Sequence, residues 1–229
     1  MISDGLRWAA YLSGIPSARV DAVGTVVRYT LVLDGPCGAP VAACVEAGVA
    51  AWLDDVAAGA QHSSGRLAAA LDAGFPASEV ERWFAGPPPP PAEVHDRVLA
   101  ALAALPAPAP AADQPGSWVG GVAAAAPRSA FTARVGALVR GRPGRALLLN
   151  LLGGPADAAA LRNGAPVAVL LDGAAPAQVI ALPAHGLPGE VEAKKVPPAR
   201  PARRAGAAMV PILGLVAVLM VLMVLVMLL

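Results

Sequence analysis

The run from Ala205 to Leu229 carries no charged or strongly polar side chain, and it limits what this chain can fold into more than any other feature. About 20 apolar residues at ~1.5 Å rise cross a ~30 Å hydrocarbon core, so the run is long enough to span a bilayer as one helix. Lys194, Lys195, Arg200, Arg203 and Arg204 stand just ahead of it, with no acidic residue after Glu192. A basic cluster on one flank of a span holds that flank on the cytoplasmic side, beside anionic headgroups. The pattern predicts a single C-terminal transmembrane anchor over 205–229. The five basic residues set its topology, and the N-terminal region faces the cytoplasm.

The residues ahead of the anchor are enough for one ordinary domain or two small ones. Aromatics make up only 4% of the chain, so a core must be packed mainly from Ala, Val and Leu. Each of these buries less area than Phe or Trp at roughly 25 cal/mol per Å². With 24 Gly and 24 Pro, about a fifth of the sequence is turn-former or helix-breaker, against an average near ~12%. Long uninterrupted helices are not expected outside the anchor. The net charge is +1, and the basic excess is concentrated before the anchor. A nucleic-acid-binding face needs Lys and Arg spread over a folded surface, so no nucleic-acid partner is expected.

Proline marks the boundaries. Pro87 to Pro91 is an unbroken proline run, which must extend as polyproline II. Leu105 to Ser117 (LPAPAPAADQPGS) reads as an Ala/Pro linker, and 183–204 as a Pro-rich basic stalk. The expected fold class is α+β, in five parts: an N-terminal α+β unit over 1–86, a linker over 87–127 with one short helix at 92–105, a β-rich unit over 128–182, the stalk over 183–204, and the anchor over 205–229. In the first unit, Val23 to Leu33 is β-branched, ends at Asp34-Gly35-Pro36 and reads as a strand. Val41, Cys44, Val45, Val49, Trp52 and Val56 recur at helical steps, predicting a helix over 40–56. Ser63 and Ser64 are candidate caps of a helix through Leu71 that ends at Gly74. A further short helix starts at Pro76 and carries Val80, Trp83 and Phe84.

In the second unit, Phe131–Arg140, Ala146–Leu152, Pro166–Leu171 and Ala177–Leu182 are short apolar or alternating runs separated by Gly/Pro turns. They predict strands of a compact sheet or small barrel, with a short helix over 156–161. The stretch Leu161-Arg162-Asn163-Gly164-Ala165-Pro166-Val167-Ala168-Val169, then Leu171-Asp172 and Pro176 to Leu182, resembles the ending of small β-domains of unknown function in membrane-associated proteins of GC-rich bacteria. Gly24-Thr25-Val26-Val27 resembles the strand that opens such domains. The likeness implies a β-domain at a membrane and no catalytic residue. The Asp-Pro step of that pattern is Asp172-Gly173 here.

Side chains able to do chemistry are scattered. His62, His95 and His185 show no metal-ligand spacing, and no Cys adjoins them. Cys37 and Cys44 lack the CxxC spacing and are expected to be free, partly buried thiols, with a local disulfide between them as the alternative. Asp54 and Asp55 are neighbours on a helix and point about 100° apart, so they do not converge as an acid/base pair. Gly153-Gly154-Pro155 before a helix would suit an anion, but Asp157 in its first turn would repel one. No catalytic residue, cofactor site or metal site is expected. The expectation is a non-enzymatic, tail-anchored membrane protein that presents small cytosolic domains for protein interaction or assembly, with the lipid bilayer and an unidentified protein as partners. Two alternatives remain. One is a Bcl-2-like tail-anchored helical regulator, on a faint likeness of Leu67 to Asp72 (LAAALD) to the core of that family. The other is a membrane-held thiol enzyme using Cys37 or Cys44.

Overall fold

A computed structural model describes residues 1–59, 65–149, 158, 161, 164–173 and 175–182. The expected anchor, its five basic residues, the stalk, the helix at 156–161 apart from Ala158 and Leu161, and His62 and His185 lie outside the described residues. Among the described residues, no helix is long and apolar enough to cross a membrane.

The chain opens with a tight hairpin. Strand β1 (Ile2–Ser3) turns through Gly5 and Leu6 into β2 (Arg7–Val20), which pairs antiparallel with β3 (Val26–Pro36). Trp8, Ala10 and Leu12 alternate inward along β2, while Arg7, Ala9 and Tyr11 face outward. This period of two is that of a sheet with one packed face. The ladder shifts between Leu12 and Ile15. Gly14 there has φ 75°, a left-handed conformation that costs glycine nothing. Pro16 follows the bulge, where it is tolerated as it would not be in a regular central strand.

Helices α1 (Ala39–Ala57), α2 (Arg66–Gly74), α3 (Ala77–Ala85) and α4 (Pro91–Ala103) come next, close to the expected helical segments. Strand β4 (Trp118–Gly121), helix α5 (Ala125–Val139) and strands β5 (Gly144–Leu149), β6 (Val167–Leu171) and β7 (Ile180–Ala181) complete the order. The seven strands among the described residues form one mixed, open sheet ordered β3-β2-β1-β5-β6-β4-β7. Strands β5 and β4 flank β6 in parallel, and β7 closes antiparallel on β4.

Two expectations are corrected here. First, the sheet is neither a barrel nor the property of a separate β-rich unit. Strand β1 pairs with β2 on one side and β5 on the other, and the described residues fall in one compact unit. The segment expected as a linker is part of the core. Trp118 and Val119 of β4 are buried. The Ala/Pro stretch before β4 is tied down by Arg134, a 1%-exposed side chain on α5. Its guanidinium donates to Asp113 at 2.7 Å, to the Gly116 carbonyl at 2.9 Å and to the Gln114 carbonyl. Second, Phe131–Arg140 is helix. Its apolar residues alternate, but Phe131, Val135, Leu138 and Val139 also fit a helical stripe. That stripe wins because the element extends back to Ala125 and packs between the sheet and α1.

The core divides by strand face. Ala168 and Leu170 of β6 join Trp118, Ala146 and the helices on one side, where α5 packs against β5 and β6 and α1 packs against α5. Val167, Val169 and Leu171 join Val119, Ala158 and Leu182 on the other. Strand β6 is buried at every residue, as expected for a parallel strand covered on both faces. Helix α1 approaches α5 at Gly136, where any β-carbon would overlap the Glu46 carboxylate. Glu46 is ion-paired there with Arg140 at 2.9 Å.

Candidate interaction site: a cleft within the sheet

Strand β1 fills its place in the sheet for only two residues. Met1 continues its line, donating from its α-ammonium to the Ala146 carbonyl at 2.8 Å and accepting from the Ala146 N–H at 3.0 Å. Past Met1, β2 and β5 run on without a strand between them among the described residues. The result is a cleft of about 540 Å³, within the ordinary size range of ligand sites. Residues Ala10–Pro16 of β2 form one wall and Ala146–Leu148 of β5 the other. Its floor is apolar, made by Val49, Trp52 and Val56 of α1 with Phe131 and Val135 of α5. Asp55, Asp172 and Arg28 lie among its lining residues.

The cleft adjoins an exposed sheet face. Tyr11 is 66% exposed and Val32, its direct partner on β3, is 70% exposed. Ile2, opposite Ala9, is also exposed. Single exposed apolar residues are ordinary, but neighbours gathered on one strand face mark a contact surface. Burial pushes the Met1 ammonium below its usual pKa, and no acidic partner offsets that shift among the described residues.

The hairpin is clamped from beneath. Tyr29 donates to Asp72 at 2.6 Å, and Asp72 also accepts from the Ala18 N–H at 2.8 Å and pairs with Arg19 at 3.6 Å. Burial, followed by the adjoining carboxylate, pushes the Tyr29 hydroxyl well above the usual tyrosine range. This network fixes β2 and β3 to α2 and holds one wall of the cleft in place.

Other side chains singled out in the sequence are dispersed. Asp54 and Asp55 both engage Arg66 at the start of α2. Asp54 pairs with Arg128 and Arg66, and Asp55 accepts the Arg66 and Leu67 N–H groups at the start of α2. Ser63 and Ser64 lie outside the described residues, and the residue at the cap of α2 is Gly65. His95 is exposed on α4. Cys37 and Cys44 are free and partly buried. The Cys37 thiol lies 3.7 Å from the Leu138 carbonyl and 3.6 Å from the Ser3 hydroxyl. Gly153 to Asp157 lie outside the described residues. Sequence reading missed the cleft altogether, because β2 was unrecognised. The alternation of Trp8, Ala10 and Leu12 with Arg7, Ala9 and Tyr11 was the available signal. Comparison with known proteins finds no matching family, no matching curated relative and no matching solved structure.

Proposed function

We propose that this protein is a non-enzymatic, tail-anchored membrane protein whose α+β domain binds a protein partner at the cytoplasmic surface of the bilayer. One observation carries the interaction reading: a sheet face with exposed Ile2, Tyr11 and Val32 opens into an apolar-floored cleft between two strand edges. Unpaired strand edges are templates for pairing with another chain. The anchor reading rests on the apolar run at 205–229 and on Lys194, Lys195, Arg200, Arg203 and Arg204 before it. A Bcl-2-like helical regulator is less well supported, since Asp72 of its faint signature is engaged by Tyr29 and Ala18.

The test has two parts. Deleting 205–229 should release the protein from carbonate-washed membranes, and an N-terminal tag should remain accessible to protease from the cytoplasmic side. A photo-crosslinking amino acid at Val32 should form a discrete protein adduct in cells, and the same probe at exposed His95 on α4 should not. Retention of the truncated chain in the membrane refutes the anchor. Equal labelling from both positions refutes the contact face.

A further inference from the structure

Strand β3 stands at one end of the strand order, and β2 is its sole neighbour in the sheet among the described residues. Two backbone contacts fix which of its groups are already used. The Asp4 N–H donates to the Arg7 carbonyl at 3.2 Å, so Arg7, Ala9 and Tyr11 turn their backbone groups toward the β1 side of β2. The Cys37 N–H donates to the Leu6 carbonyl at 2.8 Å, one step beyond the Arg7–Pro36 pair. Both give the same phase, because bonded and non-bonded pairs alternate along an antiparallel ladder. Gly35, Leu33 and Leu31 therefore bond to β2. Asp34, Val32, Thr30 and Arg28 turn their backbone groups to the open edge. At each irregularity of the ladder the extra residues lie on β2, so β3 stays regular along its free side. Pro16, opposite Arg28, occupies a non-bonded position, where its missing N–H costs no ladder bond.

Charge is arranged symmetrically along that edge. Arg28 stands three residues before Leu31 and Asp34 three residues after it. Both are exposed, as are Thr30 and Val32 between them. A second copy of β3, laid antiparallel with Leu31 against Leu31, puts Arg28 opposite Asp34 of the second copy, and a two-fold axis repeats the pair. Thr30 then meets Val32 of the second copy. In this register the residues that must exchange backbone bonds are the ones whose groups are open. Sliding by two residues keeps the two faces aligned but loses both charge pairs. Asp34 already pairs with Arg7 at 3.1 Å on the exposed face, and a carboxylate can accept from more than one donor.

We propose that two copies of this protein pair through β3, edge to edge and antiparallel about Leu31, joining their sheets into one. Charged residues commonly protect a sheet edge from such pairing. Here the cation and the anion are equidistant from the centre of the strand, so the edge is complementary to itself and selects a second copy as its occupant. The pairing uses the β3 edge and not the cleft, and it leaves the outer face of Tyr11 and Val32 open on both copies.

The experiment is sedimentation of the full chain in detergent micelles over a range of concentrations, where a reversible dimer is expected. Asp34→Arg puts a cation opposite Arg28 of the second copy at both ends of the ladder, and it should weaken the dimer about tenfold or more. Arg28→Asp should do the same. An equimolar mixture of the two variants restores opposite charges at both ends and should dimerise within about threefold of wild type. Thr30→Pro removes an N–H that faces the open edge and not β2, and it should also weaken the dimer about tenfold or more, while Thr30→Val should stay within about twofold of wild type. Should Thr30→Pro fail to fold by circular dichroism, the two charge variants and their mixture still decide the matter.

A chain that stays monomeric at every concentration overturns the proposal. So does a dimer indifferent to both charge reversals, which would place the contact in the apolar C-terminal run or on another surface. Variants that are each weakened but do not recover on mixing overturn the Leu31-centred register. A monomer whose Val32 probe captures a different protein removes self-pairing and leaves the contact face standing. A dimer that responds to both reversals, with no different protein captured from Val32, upholds self-pairing and removes the contact face.

Discussion

The two halves of this sheet are built from the same few residue types and end in different states. On one side, β4, β5 and β6 run parallel beneath α5, and β6 buries all five of its residues. On the other, β2 and β3 form a long antiparallel hairpin that buries Trp8, Leu12, Leu31 and Leu33 and leaves Tyr11 and Val32 in solvent. A parallel strand is reached by a crossover that covers it, whereas a hairpin needs only a turn and can keep one face open. The parallel half is therefore expected to carry stability and the hairpin to carry contact. The two halves join at two-residue β1, beside the cleft between β2 and β5.

Five measurements can break or sharpen that contrast. Removing the carboxylate that holds Arg134, by Asp113→Ala, leaves a buried guanidinium without its counter-ion and should cost about 3–5 kcal/mol in chemical denaturation. A loss under about 1 kcal/mol would mean that the Ala/Pro segment is not an integral part of the parallel half. Next, Leu170→Ala, at a 0%-exposed position in β6, should cost about 2–5 kcal/mol by the same measurement. A third probe addresses the hairpin. Tyr29→Phe deletes a hydrogen bond to a carboxylate and should cost about 1–2 kcal/mol, visible as a lower melting temperature.

The same residue makes a pH signature. The raised pKa of Tyr29 in the folded state means that its stabilisation is whole below the ordinary tyrosine value of 10.0. Above that value, the unfolded chain loses its tyrosine proton first, so stability falls as pH rises toward the folded-state value. Wild type should therefore lose melting temperature more steeply than Tyr29→Phe above that pH. Parallel slopes would show that the Asp72 contact does not persist in solution. The smallest effect is expected on the open face, where Val32→Thr should change stability by no more than about 0.5 kcal/mol. A larger loss would show that this face is covered in the isolated protein.

Helices α1, α3 and α4 were legible because their apolar residues recur at helical steps and because Pro and Gly mark their limits. Strands β3, β5 and β6 were legible as β-branched or leucine-rich runs bounded by turn residues. Strand β2 was missed because Gly14, Pro16 and its serines look like turn chemistry, and only a bulge in a paired ladder makes room for them. Helix α5 was misread because its apolar spacing satisfies both periods, and which period wins depends on what lies above and below it. Strand β4, four residues after a proline-rich stretch, has too little local signal to stand out from a linker.

By itself, the sequence determined the element types wherever periodicity was unambiguous, and a mixed α+β composition. Local dihedral preference and the spacing of apolar side chains are properties of short segments, so they are written where the segment is. Tertiary structure alone decided that residues far apart in the chain share one sheet, that a proline-rich stretch is held to the core by Arg134, and that β2 and β5 flank a cleft. These depend on which backbone edges meet and which charges are buried together. No single segment carries that information.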